Sequence, residues 1–111
     1  MELVSGNILI RPMEFESAGK TVDGHAHNFD HTTYVVRGAL RIEQLDADTG
    51  EVVRTADKKA SDGQNWVLIR AGAVHRITAL EDNSLGHCIY SHRNPQGDIV
   101  QVCEGWGEAY V

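Results

Sequence analysis

Short segments rich in apolar and β-branched residues recur along this chain, separated by turn signals about every 8–12 residues. Residues 39–45 alternate apolar and polar side chains with period two, which is the pattern of a half-buried strand. Further strands are predicted at residues 7–11 (where Pro12 limits the pairing), 32–37, 51–55, 66–70, 74–80, 86–91 and 98–103. Because no strand alternates with a long amphipathic helix, the pattern predicts an all-β sandwich or a closed barrel.

The length and composition are those of one ordinary globular domain covering residues 1–111. Apolar residues make up 41% of the chain and charged residues 23%. No apolar run is long enough to cross a membrane, since Arg11, Arg41 and Arg70 interrupt the longest candidates. Residues 1–5 show no basic region followed by an apolar block, so we expect a cytoplasmic protein that does not bind membranes.

The charge balance argues against nucleic acid as a partner. The chain has 16 acidic and 10 basic residues, a net charge of −6, and its densest basic spot is Lys58-Lys59 beside Asp57. Nucleic-acid binding depends on clustered cations that displace counterions from phosphates. The two cysteines, Cys88 and Cys103, are predicted to be buried thiols and not a disulfide framework.

The six histidines are the unusual feature of the composition. His25 and His27 occupy positions i and i+2 of an extended segment, which places both rings on one face, roughly 6–7 Å apart. That spacing suits two ligands of one cation. His31 begins the next predicted strand, and His75 follows the corner at residues 71–73. Spacing by itself leaves two alternatives, a metal site or histidines of the core and surface.

Two segments resemble the sequence motifs of the cupin superfamily. Gly19-x5-His25-x-His27-x3-His31-x6-Gly38 is similar to the first motif, G-x5-H-x-H-x3,4-E-x6-G, with histidine in place of glutamate. Residues 63–79 resemble the second motif, G-x5-P-x-G-x2-H-x3-N, in which Gly72 and His75 keep their spacing. The first glycine is displaced by one residue, and Arg70 and Ala79 replace the proline and the asparagine.

The resemblance implies a double-stranded β-helix (a cupin jelly-roll barrel) with a metal inside. Carried over by position, the metal ligands would be His25, His27 and His75, with His31 where the family has glutamate. Four neutral imidazoles leave both charges on a divalent ion, which favours an anionic ligand. Such donors suit a divalent transition metal (Fe, Ni, Zn, Cu or Mn) better than Mg or Ca. His31 either coordinates or turns away to leave a three-histidine site, and Asp30 is expected to lie outside the ligand set.

Residues 87–92 supply the candidates for acid–base chemistry. Strand alternation puts Cys88, Tyr90 and His92 on one face, with His87, Ile89 and Ser91 on the other, and leaves open which face is inward. If the first face is inward, Tyr90 or His92 could exchange a proton with a bound substrate, whereas both could also serve packing alone. Two further aromatic residues, Tyr34 and Trp66, are predicted to pack within the barrel wall.

These observations favour a metal-dependent enzyme, dioxygenase-like or an isomerase or lyase, that acts on a small anionic or enolisable molecule. The alternative is a non-catalytic cupin that binds a small ligand or a structural metal, because this fold hosts many activities. Residues 104–111 carry Trp106 and Tyr110 after the last predicted strand. Such a tail either folds back over the barrel or packs on a second subunit, and we expect a homodimer.

Overall fold

The computed structural model describes residues 3–27, 29–91, 93, 96 and 98. Within these residues the chain forms nine strands and no helix, so the prediction of an all-β fold is confirmed. The strands are β1 (Leu3–Ser5), β2 (Ile8–Phe15), β3 (Thr21–His25), β4 (His31–Arg37), β5 (Ala39–Leu45), β6 (Val52–Lys59), β7 (Trp66–Ile69), β8 (Val74–Ala79) and β9 (Ser84–Ser91). No helix capable of spanning a membrane occurs in this part of the chain.

Two antiparallel sheets pack face to face as a jelly roll. The first has the strand order β1-β2-β9-β4-β7 and the second the order β3-β8-β5-β6. Both sheets contribute to one apolar core, in which Val35 of the first sheet packs with Leu40 and Ile77 of the second, all three fully buried. In such a sandwich the core fills the space between the sheets, and a binding site can form at an end of the sandwich.

Six of the predicted strands are observed, five with ends within two residues of the prediction, while β6 runs four residues further, to Lys59. Two other predictions need comment. The strand predicted to stop at Pro12 continues to Phe15, because β1 pairs only with Ile8–Ile10. Pro12 therefore lies where β2 has a neighbour on one side only, and a missing N–H is tolerated there. The strand predicted at residues 98–103 lies outside the described residues, apart from Asp98.

Gly38 makes the connection between the two sheets possible. It lies between β4 and β5 with a φ of 75°, and an added Cβ would overlap the Ser84 hydroxyl. That hydroxyl accepts the Ala39 N–H at 3.2 Å and donates to the Glu81 carbonyl at 2.8 Å. The last glycine of the first motif is thus required by left-handed backbone and by close packing.

The prediction that Tyr34 and Trp66 pack inside the barrel wall is wrong. They lie opposite each other on β4 and β7, 39% and 41% exposed on the outer face of the five-stranded sheet. The inner face of β4 belongs to His31, Thr33 and Val35. Period-two alternation groups residues by face but does not say which face is inside.

Candidate metal centre

Three imidazoles converge at one end of the four-stranded sheet. His25 ends β3 directly opposite His75 of β8, and His27 follows β3 by two residues. Their candidate ligand nitrogens all lie within 4.8 Å of one another. The ring centroids are 4.3 Å apart for His25 and His75, 4.7 Å for His25 and His27, and 5.5 Å for His27 and His75. One ion bound at ~2.1 Å to each ring requires ligand nitrogens no more than about 4.2 Å apart, so the three rings lie close to the geometry of a single metal site.

Backbone carbonyls orient two of these rings. Nδ1 of His25 lies 2.9 Å from the Asp23 carbonyl oxygen, and Nδ1 of His75 lies 3.0 Å from that of Ala73. A carbonyl oxygen only accepts, so each Nδ1 carries a hydrogen, and in the neutral ring the lone pair is then on Nε2. Nε2 of His75 is buried without a hydrogen-bond partner. A second hydrogen bond that fixes the tautomer is the usual support of a metal-binding histidine.

His31 lies beside this cluster, as the first residue of β4. Its ring is 3% exposed, and its centroid is 5.0 Å from those of both His27 and His75. Neither of its nitrogens has a hydrogen-bond partner. Burial lowers the pKa of His31 to about 3, and the neighbouring His75 adds to this effect. Burial also lowers the pKa of His75, to about 4. Both rings are therefore neutral near pH 7, and a neutral imidazole nitrogen without a hydrogen-bond partner can bind a metal ion.

Two loops that are distant in sequence hold the cluster together. The Gly72 N–H donates to the His27 carbonyl at 2.8 Å, and the Ala71 N–H donates to Asp30 Oδ1 at 2.7 Å. Asp30 itself is exposed and lies outside the group of converging ligand atoms. It therefore ties the loop before β4 to the corner before β8, in agreement with its expected place outside the ligand set.

The structure determines which face of β9 is inward. Cys88 and Tyr90 are both buried, 8% exposed, and so belong to the inner face. The Tyr90 ring stacks on Phe29 at 4.3 Å and lies 6.4 Å from the ring of His31. Cys88 is a free buried thiol, as predicted, and burial raises its pKa. The other acid–base candidate, His92, and the second thiol, Cys103, lie outside the described residues.

A cavity of about 390 Å³ opens beside the histidines. Its lining comes from the second half of β2, from β3, from the loop before β4 and from β9: Arg11, Pro12, Met13, Glu14, Val22, His25, His27, His31, Cys88 and Tyr90. Arg11, which is exposed at the edge of this cavity, was not predicted from the sequence as a site residue. Its alternation with Leu9 and Phe15, both buried, is the signal that could have placed it on the inward-facing side of β2.

Three further arginines have different surroundings. Arg37 donates to the Asn83 carbonyl at 2.8 Å, and Arg41 forms an exposed ion pair with Asp57 at 2.9 Å. Arg70 is exposed and borders a second cavity of about 270 Å³, which lies between β6 and β7. These three residues therefore do not line the cavity beside the histidines.

Comparison with solved structures identifies the fold. A cupin superfamily protein from Desulfitobacterium hafniense is 18% identical, with 82% of this chain and 73% of that chain covered and a TM-score of 0.63. KdgF from Halomonas sp. is 23% identical, with 86% and 79% covered and a TM-score of 0.62. An oxalate decarboxylase from B. subtilis is 18% identical, with 90% of this chain but 23% of that chain covered and a TM-score of 0.64.

This chain therefore has the cupin fold, as its motifs predicted. No family model matches the sequence, and no curated protein sequence matches it. The fold and the histidine cluster together support a metal-binding protein of cupin architecture.

Proposed function

We propose that this protein is a metal-dependent enzyme that acts on a small anionic or enolisable molecule. The observation that carries the proposal is the convergence of His25, His27 and His75, whose candidate ligand nitrogens lie within 4.8 Å of one another. His25 and His27 also line a cavity that a small molecule can enter. Three protein ligands with an adjacent cavity are the arrangement of catalytic metal sites, which keep coordination positions for substrate.

The donor set supports a divalent transition metal as the cofactor. Neutral imidazoles bind Fe, Ni, Cu, Zn and Mn ions, whereas Mg and Ca prefer carboxylate and carbonyl oxygens. When bound, such an ion supplies Lewis-acid stabilisation of an enolate, and iron adds redox chemistry with O₂. A ligand set of histidines alone leaves the full charge of the ion facing the cavity, which favours a negatively charged substrate.

Tyr90 is the group that we assign to proton exchange with the substrate. It lines the cavity from the inner face of β9, and its stacking on Phe29 fixes the plane of its ring. A phenol with its ring fixed in the cavity can donate a hydrogen bond or a proton to a substrate oxygen. His92 stays a prediction from the sequence, as does the homodimer.

A non-catalytic metal module is the second candidate, and His31 is the observation that favours it. Its two unpartnered nitrogens lie next to the three-histidine group, so a fourth imidazole is available to complete a tetrahedral site. Four protein ligands close a site to substrate. In that case the metal would stabilise the fold or serve as a sensed or carried ion.

Elemental analysis of the purified protein tests the metal centre. We expect one transition-metal ion per chain, lost in His27→Ala and retained in His87→Ala, a matched control whose side chain is on the outward-facing side of β9. Full occupancy in His27→Ala would contradict the assignment. Oxygen uptake and product formation with diketones, catechols and keto acids then separate the enzyme from the non-catalytic metal module. Turnover would support the enzyme, whereas a stoichiometric metal without turnover would support the module with four protein ligands.

A further inference from the structure

Two sulfur atoms lie close together in the wall of the cavity beside the histidines. Sγ of Cys88 lies 3.7 Å from Sδ of Met13, and both residues line this cavity. Metal–sulfur bonds in proteins are about 2.3 Å long, so two sulfurs that bind the same ion can be no more than about 4.6 Å apart. The two sulfurs therefore have a separation that fits a single ion.

Strand pairing brings a third donor to the same wall. Met13 of β2 lies opposite Gly86, two residues before Cys88 on β9, and Thr33 of β4 lies opposite Cys88. His31, two residues before Thr33, is therefore the diagonal neighbour of Cys88 on the inner face of the sheet, within reach of a long side chain. His31 is 3% exposed and lines the cavity, and neither of its nitrogens has a hydrogen-bond partner. A thioether, a thiol and an imidazole thus follow one another across three adjacent strands.

These donors and their surroundings favour a soft ion of single charge. Thiolate and thioether sulfurs select Cu⁺, and imidazole also binds copper. The charges of Cu⁺ and of the Cys88 thiolate cancel, whereas a divalent ion would leave a net charge beside the apolar side chains of Pro12 and Val22. When the ion binds, the S–H bond of Cys88 breaks, its electron pair forms the bond to Cu⁺, and the proton passes to solvent. Copper keeps its oxidation state throughout.

We propose that Met13, Cys88 and His31 form a second metal site, which binds one Cu⁺ ion. This site is distinct from the group of His25, His27 and His75 and requires neither a metal there nor turnover. The histidine at position 31 agrees with it, because imidazole is a softer donor than the glutamate of the cupin motif. A neutral imidazole has one lone pair, so His31 binds one ion at a time.

Anaerobic titration of the metal-free full chain with Cu⁺, in competition with bicinchoninate, tests the site. Ag⁺ serves as a second soft probe that needs no reductant. We expect one tightly bound Cu⁺ per chain, with sulfur neighbours at about 2.3 Å in its X-ray absorption spectrum. Cys88→Ser, Met13→Leu and His31→Leu should each weaken binding by about tenfold or more, because each removes one donor.

Cys103→Ser is the matched control, since it removes the other thiol of the chain and should bind Cu⁺ as the wild type does. Met13→Leu nearly conserves the side-chain volume, and Cys88→Ala replaces Cys88→Ser if that variant fails to fold. The proposal is overturned if the wild type binds no Cu⁺, or if any of the three donor variants keeps the wild-type affinity.

His27→Ala separates this site from the metal centre of the proposed enzyme. It removes a member of the three-histidine group and no donor of the copper site, so it should lose the divalent ion and keep the affinity for Cu⁺. Loss of Cu⁺ in this variant would place the copper on the three histidines and overturn the proposal. A wild type that binds Cu⁺ but no divalent ion would contradict the proposed enzyme alone.

Discussion

Gly72 donates its backbone N–H to the carbonyl oxygen of His27 over 2.8 Å. This bond joins the loop that carries His27 to the corner that precedes His75, so it couples two ligand-bearing segments from distant parts of the sequence. Gly72 has a φ of 82°, a left-handed conformation that glycine adopts without strain. The Asp30–Ala71 hydrogen bond holds the same corner from the other side.

Asp30→Ala is expected to weaken metal binding without unfolding the protein. The substitution removes one hydrogen bond from an exposed carboxylate, so the free energy of unfolding should fall by only about 1 kcal/mol. The corner before His75 loses a tether, however, and the metal affinity should fall measurably in a competition titration with a chromophoric chelator. Asp48→Ala, in the exposed β5–β6 turn, is the control. Equal metal affinities in both variants would exclude a positioning role for Asp30.

His31→Glu is expected to retain the metal and change its selectivity. The substitution introduces the residue type that the cupin motif has at this position, and a carboxylate donor lowers the net charge of the site by one. Harder ions such as Mn²⁺ and Fe²⁺ should gain affinity relative to Cu²⁺ and Zn²⁺. Competition titrations measure this order, with His87→Glu as a control of the same charge change. An unchanged order would mean that His31 does not coordinate.

The metal-free protein is expected to lose stability as the pH falls. In the folded chain the pKa of His31 is about 3 and that of His75 about 4, both below the ordinary 6.5 because of burial. The unfolded chain therefore binds more protons below about pH 6.5, and each group lowers the free energy of unfolding by at most about 1.4 kcal/mol per pH unit. The free energy of unfolding is therefore highest above about pH 6.5 and declines towards pH 4.

Urea unfolding in the presence of a chelator, between about pH 4.5 and 7, measures this dependence. His31→Leu should show a shallower dependence on pH than the wild type, since one of the two buried groups is gone. His87→Ala, on the outward-facing side of β9, should keep the wild-type slope. Identical slopes in all three proteins would refute the assignment of the pH dependence to His31.

Gly38→Ala is expected to cost about 2 kcal/mol or more of stability. Left-handed backbone costs a non-glycine residue roughly 1–2 kcal/mol, and the new methyl group would also collide with Ser84. Gly63→Ala is the matched control, because a Cβ at that position meets nothing within 4 Å. Urea denaturation of the two variants measures the difference. A loss no larger than that of Gly63→Ala would show that the turn accommodates a side chain.

Local signals predicted most of the strands. The alternation in Ala39–Leu45, bounded by Gly38 and the turn at residues 46–50, predicted β5 with the bounds that the structure has. Where a prediction failed, a long-range neighbour was the reason. β2 runs through Pro12 because it pairs with β9 there and not with β1, and neither neighbour can be seen in the local sequence.

The sequence by itself determined the members of the candidate site: His25, His27 and His31 are close along the chain, and His75 matches the second motif. Only the tertiary structure decided that His75 lies opposite His25, that Tyr90 faces inward and that Arg11 shares the cavity. The physical reason is that strand periodicity fixes which side chains share a face. Which face is buried, and which strand lies across from it, depends on pairing between residues far apart in the chain.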